Sequence, residues 1–211
     1  DQVNAIKYLK GLRTLLIGTV GGEFVATAST SAEPITPTNI QIKRQAGYGT
    51  SDVDALLAGN RILFVQRAGK KVRELVFDFD TDGYIAPDLT LLAEHIAGSG
   101  VGTGFTNWTY QQEPDSIVWV VRSDGVLTGM TYQRSENVVA WHRHILGGAF
   151  GNGIAEVESV AAISNTVTSS RGEDTLYMIV KRTVNGSTVR YIEYLQPFDF
   201  GSNIEDAWFL D

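Results

Sequence analysis

The chain has 211 residues, 43% of them apolar, which is enough for one large domain or two small ones. Its formal net charge of −7 argues against a protein that grips nucleic-acid phosphates, because such proteins carry clustered Lys and Arg. The absence of cysteine excludes disulfides and thiolate metal sites. No apolar run approaches the roughly 20 residues that span a bilayer as a helix.

A strand–turn–strand hairpin recurs along the chain. The weakest copy comes first, and the paired segments are 15–20 with 24–26, 60–67 with 72–77, 115–122 with 126–132 and 174–182 with 189–194. Asp124-Gly125 and Asn185-Gly186 favour tight turns because both residue types tolerate positive φ. The last three copies begin 55 and 59 residues apart. Self-similarity on this scale is typical of propellers and other repeat arrays.

Other segments complete the predicted elements. Alternation predicts strands over 40–44, 138–145 and 157–163. One helix is predicted over 86–96, where Asp88 or Thr90 could cap it and apolar residues recur at helical spacing. The 22 glycines fit an all-β protein with many tight turns.

These elements predict an all-β fold: a β-propeller-like array of about four antiparallel hairpin or blade units, with one short helix. No composition shift marks a boundary, so residues 1–211 are expected to form a single propeller-like region. The chain starts without Met and ends on Ala207–Asp211, which has the pattern of an element cut short. We therefore expect a fragment of a longer protein, with an incomplete propeller.

Asp78, Asp80 and Asp82, followed by Gly83, form the sharpest local motif. Carboxylates at alternate positions before a glycine begin many calcium loops. Leu89 occupies the twelfth position, however, where such a loop needs a bidentate Glu. A strand end with solvent-facing acids and a turn at Asp82-Gly83 is the favoured interpretation, and calcium is the alternative.

His142 and His144 lie two apart on a predicted strand and so share one face. Two histidines on one face can begin a metal site, with His95 as the only other histidine. The favoured interpretation is ordinary blade surface, with Trp141 and Arg143 turned to the opposite face.

Neither acid–base nor nucleophilic catalysis has a convincing set of residues. The acid pairs Glu113 with Asp115 and Glu156 with Glu158 are sequence neighbours on strand edges, and nothing shows them converging in a cleft. No G-x-S-x-G motif is present, and 169–171 is predicted to be a turn. We predict no enzyme activity, no cofactor and no metal.

Five aromatic residues lie at positions along the predicted strands. They could stack on sugars, or they could pack one blade against another. Packing is favoured. These residues are Trp108, Tyr110, Trp119, Tyr132 and Trp141.

Several segments, in order along nearly the whole chain, resemble the tail nozzle family of short-tailed bacteriophages, also called tail tubular protein B or stabilisation protein. They are 15–19 with 21–23, 35–40, 59–65, 71–75, 82–90, 110–116, 129–132 and 206–211. Each motif is modest alone, and together they are fairly specific.

The resemblance implies a propeller-containing structural subunit of the virion tail, assembled in the host cytoplasm. It implies a homo-oligomeric ring, hexameric in the family, that continues the portal and adaptor channel and conducts DNA without binding it specifically. The family offers no catalytic residues. An acidic chain fits a conduit, because each phosphate contact would slow passage.

The alternative is a carbohydrate-binding or glycan-cleaving propeller used in host attachment. It predicts a cleft lined by Trp and carboxylates.

Overall fold

The computed structural model describes residues 4–12, 14–30, 33–98, 100, 102–164, 172–197, 202–203 and 205. These residues form antiparallel sheets whose strands follow one another in chain order. The chain divides into two units, residues 1–94 and residues 95–211. The expectation of one continuous propeller-like region stays a prediction.

The first unit contains two four-stranded meanders. The first is formed by β1 (Ile6–Gly11), β2 (Leu15–Thr19), β3 (Gly22–Thr27) and β4 (Gln41–Ala46). The second is formed by β5 (Leu56–Ala58), β6 (Arg61–Val65), β7 (Val72–Asp78) and β8 (Gly83–Ile85). Each strand pairs with the next one in its sheet, and the connections of β2 to β3 and of β6 to β7 are short.

The core of the first unit draws on both of its sheets. Tyr8 and Leu16 of the first sheet pack in one cluster with Ile62, Phe64 and Leu75 of the second. Residues 62–65 are all fully buried, so β6 reads as a continuous apolar run rather than an alternating one.

The second unit contains a four-stranded meander, a two-stranded hairpin and a three-stranded sheet. The meander is formed by β9 (Phe105–Gln111), β10 (Ile117–Arg122), β11 (Leu127–Gln133) and β12 (Val138–His144). The hairpin is formed by β13 (Ala149–Phe150) and β14 (Gly153–Ile154), and the three-stranded sheet by β15 (Glu156–Ser164), β16 (Asp174–Val184) and β17 (Ser187–Tyr194).

Two hydrogen bonds from backbone amides of β15 to side chains of β9 join the three-stranded sheet to the meander. The amide of Val160 donates to Asn107 Oδ1, and the amide of Ala162 donates to Thr109 Oγ1, each at 3.0 Å. Around them, Trp119 and Leu127 pack with Leu176 in the core of this unit. The two sheets therefore share one interior.

The predicted all-β, propeller-like fold is confirmed. Three four-stranded meanders and one three-stranded sheet supply the four blade-like units, and the four predicted hairpins are β2–β3, β6–β7, β10–β11 and β16–β17. Strands β1, β5, β8 and β9 complete the blades, and the hairpin patterns alone did not define them.

The predicted helix over 86–96 is wrong as an α-helix. Residues 89–92 form turns, and only Glu94–Ala97 is helical, as a 3-10 helix. The backbone that precedes the 3-10 helix is hydrogen-bonded to β7. The Glu74 N–H donates to the Pro87 carbonyl, and the Leu89 N–H donates to the Val72 carbonyl. Asp88 then accepts hydrogen bonds from the amide and hydroxyl of Thr90, which turns the chain.

Candidate functional site

A cavity of about 630 Å³ lies in the second unit, near the ends of β10, β12, β16 and β17. The side chains that give it its chemistry are Trp119, His142, His144, Asp174, Tyr177 and Tyr194. The volume lies within the roughly 300–1,000 Å³ typical of small-molecule sites.

One wall of the cavity is a row of residues that runs across three strands. Trp119 on β10 is opposite Gly129 on β11, which is opposite His142 on β12. A Cβ on Gly129 would overlap the His142 imidazole. The glycine thus lets this imidazole lie across β11 and meet the Trp119 ring edge-on, with the ring centroids 5.8 Å apart.

The two histidines form a hydrogen-bonded pair. His142 Nδ1 and His144 Nε2 are 2.7 Å apart, so one nitrogen donates and the other accepts. Burial lowers the pKa of both rings, and the neighbouring His142 lowers that of His144 further. The pair is therefore neutral at pH 7.

A chain of hydrogen bonds links Trp119 to Asp174. The Trp119 indole N–H donates to Gln111 Oε1, and the Gln111 amide N–H donates to the Asp174 carbonyl, each at 2.7 Å. The Asp174 carboxylate accepts from the Ser164 hydroxyl at 2.7 Å and from the Gln112 amide at 2.8 Å. Burial alone would raise the pKa of Asp174, but the hydrogen bonds outweigh burial and lower it. The side chains of Gln111 and Asp174 are therefore held in place by hydrogen bonds within the protein.

Two tyrosines form an aromatic ledge at the rim. Tyr177 on β16 lies opposite Tyr194 on β17, with ring centroids 6.1 Å apart. Tyr177 is partly buried, whereas 54% of Tyr194 is exposed. The ledge therefore presents apolar ring surface to solvent.

Three acidic residues, Asp115, Glu173 and Asp174, are among the described residues that line the cavity. None of the described lining residues is Lys or Arg.

The carboxylate of Glu23, in the first unit, is buried away from any cavity lining described above. Glu23 on β3 is fully buried and accepts hydrogen bonds from the Tyr48 amide at 3.3 Å and the Thr50 hydroxyl at 3.4 Å. Burial raises its pKa, and these hydrogen bonds only partly oppose the effect. Tyr8, 3% exposed, lies nearby, and burial followed by the Glu23 charge raises its pKa. This group holds the segment that precedes β5 against β3.

The aspartates of the predicted calcium motif lie at the β7–β8 turn. Asp78 Oδ2 accepts from the Thr81 hydroxyl at 2.8 Å, and Asp82 has a positive φ of 48° before Gly83 begins β8. Among the described residues, no group of three or more His, Asp or Glu could hold a metal ion. The structure therefore places Asp78, Asp80 and Asp82 in a turn without gathering them around one point.

The two paired histidines face the cavity, and Trp141, which precedes them on β12, turns the other way. Trp141 stacks on Phe105, with the ring planes 2° apart. His95 is exposed on the 3-10 helix Glu94–Ala97. The predicted common face of His142 and His144 is confirmed.

The sequence-neighbour acid pairs serve different roles. Lys181 Nζ lies 2.7 Å from Glu156 and 3.7 Å from Glu158, and Arg190 holds Glu158 with two hydrogen bonds. Asp115 lines the cavity, and Glu113 does not. The predicted turn at 169–171 lies outside the described residues.

Of the five aromatic residues singled out in the sequence, Trp119 alone lines the cavity, and it is 2% exposed. Trp108 and Tyr132 are also buried, so packing dominates in this set. The tyrosine ledge was missed. The two-residue turn at Asn185-Gly186 sets Tyr177 opposite Tyr194, so hairpin register was the signal that could have found it.

No family model matches this chain, and no curated protein matches its sequence. Among solved structures, the chain is similar to a protein of Bacteroides thetaiotaomicron named "putative phosphatase", with a TM-score of 0.52 and 8% identity over 89% of this chain and 48% of that one. An auxiliary nutrient binding protein of the same organism gives a TM-score of 0.47 at 9% identity, over 88% and 46% of the two chains. A Lactobacillus plantarum protein gives 0.47 at 11%, over 92% and 59%.

The chain thus spans about half the length of the first two structures. At 8% identity, the first likeness bears on the fold alone, and it agrees with a propeller-like all-β architecture. Within the described residues, the structure contains no helix long and apolar enough to cross a membrane.

Proposed function

We propose that this chain is part of a structural subunit of a short phage tail, which assembles into a ring around a DNA channel. The proposal starts from the chain-wide resemblance to the tail nozzle family. Its main structural support is the role of the residues in the densest part of that resemblance, which stabilise a blade.

These residues belong to the sheet β5–β8 and its flanks. The segment 62–65 is its buried strand, and Arg61 forms an ion pair with the fully buried Glu74. Lys71 pairs with Asp88 at 2.9 Å, and Arg73 donates to the Ala86 carbonyl at 2.6 Å. These charged side chains join neighbouring segments of one sheet and stabilise its fold, as expected of a structural virion subunit.

The net charge of the chain supports the proposal of a DNA channel. The net charge of −7 disfavours tight binding of DNA phosphates along the wall. A conduit needs such weak contact, since each bound phosphate would have to be released before DNA could advance.

Exposed apolar side chains in the first unit suit contacts between ring neighbours. Leu92 is 96% exposed, Phe79 is 84% exposed and Leu91 is 65% exposed. Large apolar residues exposed at turns are candidates for burial in an assembly.

The test is the oligomeric state, measured by light scattering after size exclusion and by negative-stain electron microscopy. We expect closed rings, lost in Leu92→Asp and in Phe79→Asp because a buried charge is costly at an interface. Asp80→Ser, in the same turn as Phe79, is the matched control and should keep the ring. A protein that stays monomeric at every concentration, or that retards duplex DNA strongly at physiological salt, contradicts the proposal.

A further inference from the structure

The three-stranded sheet of the second unit has an open edge at β17. Among the described residues, β17 pairs with β16 on one side, and no strand pairs with it on the other. The three meanders each have four strands. We propose that two copies of the chain join along β17 as antiparallel neighbours, with Ile192 on the two-fold axis. This contact goes beyond the proposed ring contact, which uses the first unit.

The backbone of β17 has hydrogen-bonding groups that point away from β16. The Leu195 N–H donates to the Leu176 carbonyl at 2.9 Å, and this pair continues the β16–β17 register. Hydrogen-bonded pairs alternate with non-bonded pairs in an antiparallel ladder, so the odd-numbered residues of β17 bond to β16. The even-numbered residues direct their N–H and C=O groups to the open edge, where they can pair with a further strand. They are Thr188, Arg190, Ile192 and Tyr194.

The other edge strands of the described sheets are protected against pairing. Strands β5, β8, β13 and β14 have two or three residues each, and β1, β4, β9 and β15 each contain a bulge. Strand β12 is regular, but its only exposed large apolar residue is Val138, at 37%. Short strands and bulges are the devices that prevent edge-to-edge pairing. Strand β17 has neither, because it is eight residues long and pairs without a register shift.

The side chains at this edge are apolar and exposed. Ile192 is 80% exposed and Tyr194 is 54% exposed. Ile179 on β16 lies opposite Ile192 and is 38% exposed, so the apolar surface continues onto the neighbouring strand. Burial of this surface would add to the backbone hydrogen bonds gained by pairing.

The sequence of β17 is complementary to itself in the proposed register. When Ile192 lies opposite Ile192 of the second copy, Arg190 lies opposite Tyr194. In the same register Glu193 lies opposite Tyr191, so no like charges face each other. Apolar and aromatic pairs of this kind stabilise antiparallel sheets.

The alternative registers fit less well. An axis on Arg190 would place two guanidinium groups directly opposite each other, which is destabilising. An axis on Tyr191 would place Arg190 opposite Ile192 and lose the apolar pair. Arg190 already donates two hydrogen bonds to Glu158 of its own copy, so the partner strand does not have to supply a carboxylate. A second copy therefore satisfies this edge without a new charged partner.

Disulfide cross-linking tests the register, since the chain contains no cysteine of its own. Ile192→Cys should cross-link two copies under mild oxidation, because Cα atoms of a directly opposed hydrogen-bonded pair are about 5.5 Å apart, within the reach of a disulfide. Tyr191→Cys, on the same strand, and Ile163→Cys, on the same face at the other edge of the sheet, are the matched controls. At equal concentration both should stay largely monomeric on non-reducing gels.

Sedimentation of the Leu92→Asp chain separates this contact from the ring, which that substitution is expected to break. We expect a monomer–dimer equilibrium. Adding Ile192→Lys should raise its dissociation constant about tenfold or more, because lysine at an edge opposes pairing. Ile163→Lys is the control and should change the constant by less than about twofold. Rings in the unmodified chain without dimers of Leu92→Asp would contradict the β17 contact alone, and dimers without rings would contradict the ring alone.

Hydrogen–deuterium exchange distinguishes a second copy from another occupant of the edge. The amides of Arg190 and Ile192 should be protected only at concentrations where the dimer forms. Protection in the monomer would mean that another segment of the same chain covers the edge, and this would overturn the proposal. Preferential cross-linking of Tyr191→Cys, or equal cross-linking of Ile192→Cys and Ile163→Cys, would overturn it as well.

Discussion

Each unit contains a row of three cross-strand neighbours with a glycine at its centre, and the two rows have different roles. In the first unit, Tyr8 on β1 lies opposite Gly18 on β2, which lies opposite Glu23 on β3. In the second, His142 on β12 lies opposite Gly129 on β11, which lies opposite Trp119 on β10. In both rows a Cβ on the central glycine would overlap the ring that crosses it.

The surroundings of the two rows differ. Tyr8 is 3% exposed and Glu23 is fully buried, so the first row is sealed. In the second row the histidine is only partly buried and faces the cavity. A ring laid across a glycine is thus a packing device in one unit and a cavity wall in the other, and what covers the row decides which.

The largest expected difference comes from filling the two glycines. Gly18→Ala should destabilise the fold by about 3 kcal/mol, because the sealed Tyr8 ring has no space to move into. Gly129→Ala should cost about 1 kcal/mol, because His142 can swing into the cavity. Urea unfolding measures both.

Gly11→Ala is the control for these glycine variants, since a Cβ there meets nothing within 4 Å. It should change the free energy of unfolding by less than about 0.5 kcal/mol. Equal losses at Gly18 and Gly129 would contradict the distinction between a sealed and an open row.

The second pair of variants removes one polar group from each row. Trp119→Phe should cost about 2 kcal/mol, because Gln111 Oε1 loses its donor and the core loses volume. Tyr8→Phe should be neutral or slightly stabilising, because the buried Tyr8 hydroxyl has no hydrogen-bond partner among the described residues. Thermal melting of the two variants should show shifts of different size, and a large loss in Tyr8→Phe would mean that its hydroxyl has a partner in solution.

A third, smaller effect concerns pH and Glu23. Its raised pKa means that the folded state holds the proton more tightly than the unfolded chain. This contribution to stability is complete below the ordinary carboxyl pKa of about 4.3 and is lost as pH rises through the raised value. The melting temperature of the unmodified chain relative to Glu23→Gln should therefore fall as pH rises, and a constant difference would contradict the assignment.

The smallest effect is expected for the histidine pair. Burial lowers the pKa of His142 and His144, so the unfolded chain takes up protons first as pH falls. Their contribution is complete above the ordinary histidine pKa of about 6.5 and is lost between that value and the lowered ones. His144→Gln should reduce the loss of melting temperature between pH 7 and pH 5, and an unchanged loss would contradict the assignment.

Local patterns predicted much of the fold. The hairpins at 115–132 and 174–194 followed from alternation and from turn pairs that tolerate positive φ, and Asn185 indeed has a φ of 50°. The same local reasoning failed over 86–96, because the backbone of Pro87 and Leu89 is hydrogen-bonded to β7. Helical spacing of apolar residues carries no information about a partner strand elsewhere in the chain.

The candidate site was less predictable. Periodicity placed His142 and His144 on one face, and hairpin register could have paired Tyr177 with Tyr194. Nothing local joins these two groups, since they lie on different sheets. Glu23 likewise lies at the start of β3, just after a Gly-Gly pair, and the segment at Tyr48 and Thr50 contacts it from elsewhere in the chain.

The order of amino acids alone therefore determined the all-β class, the four hairpins and the glycines at their turns, because these depend on residues close in the chain. The folded arrangement decided which glycine row is sealed and which one opens onto a cavity. That choice depends on segments far away in sequence, whose burial sets the space around each ring and the pKa of each group beside it.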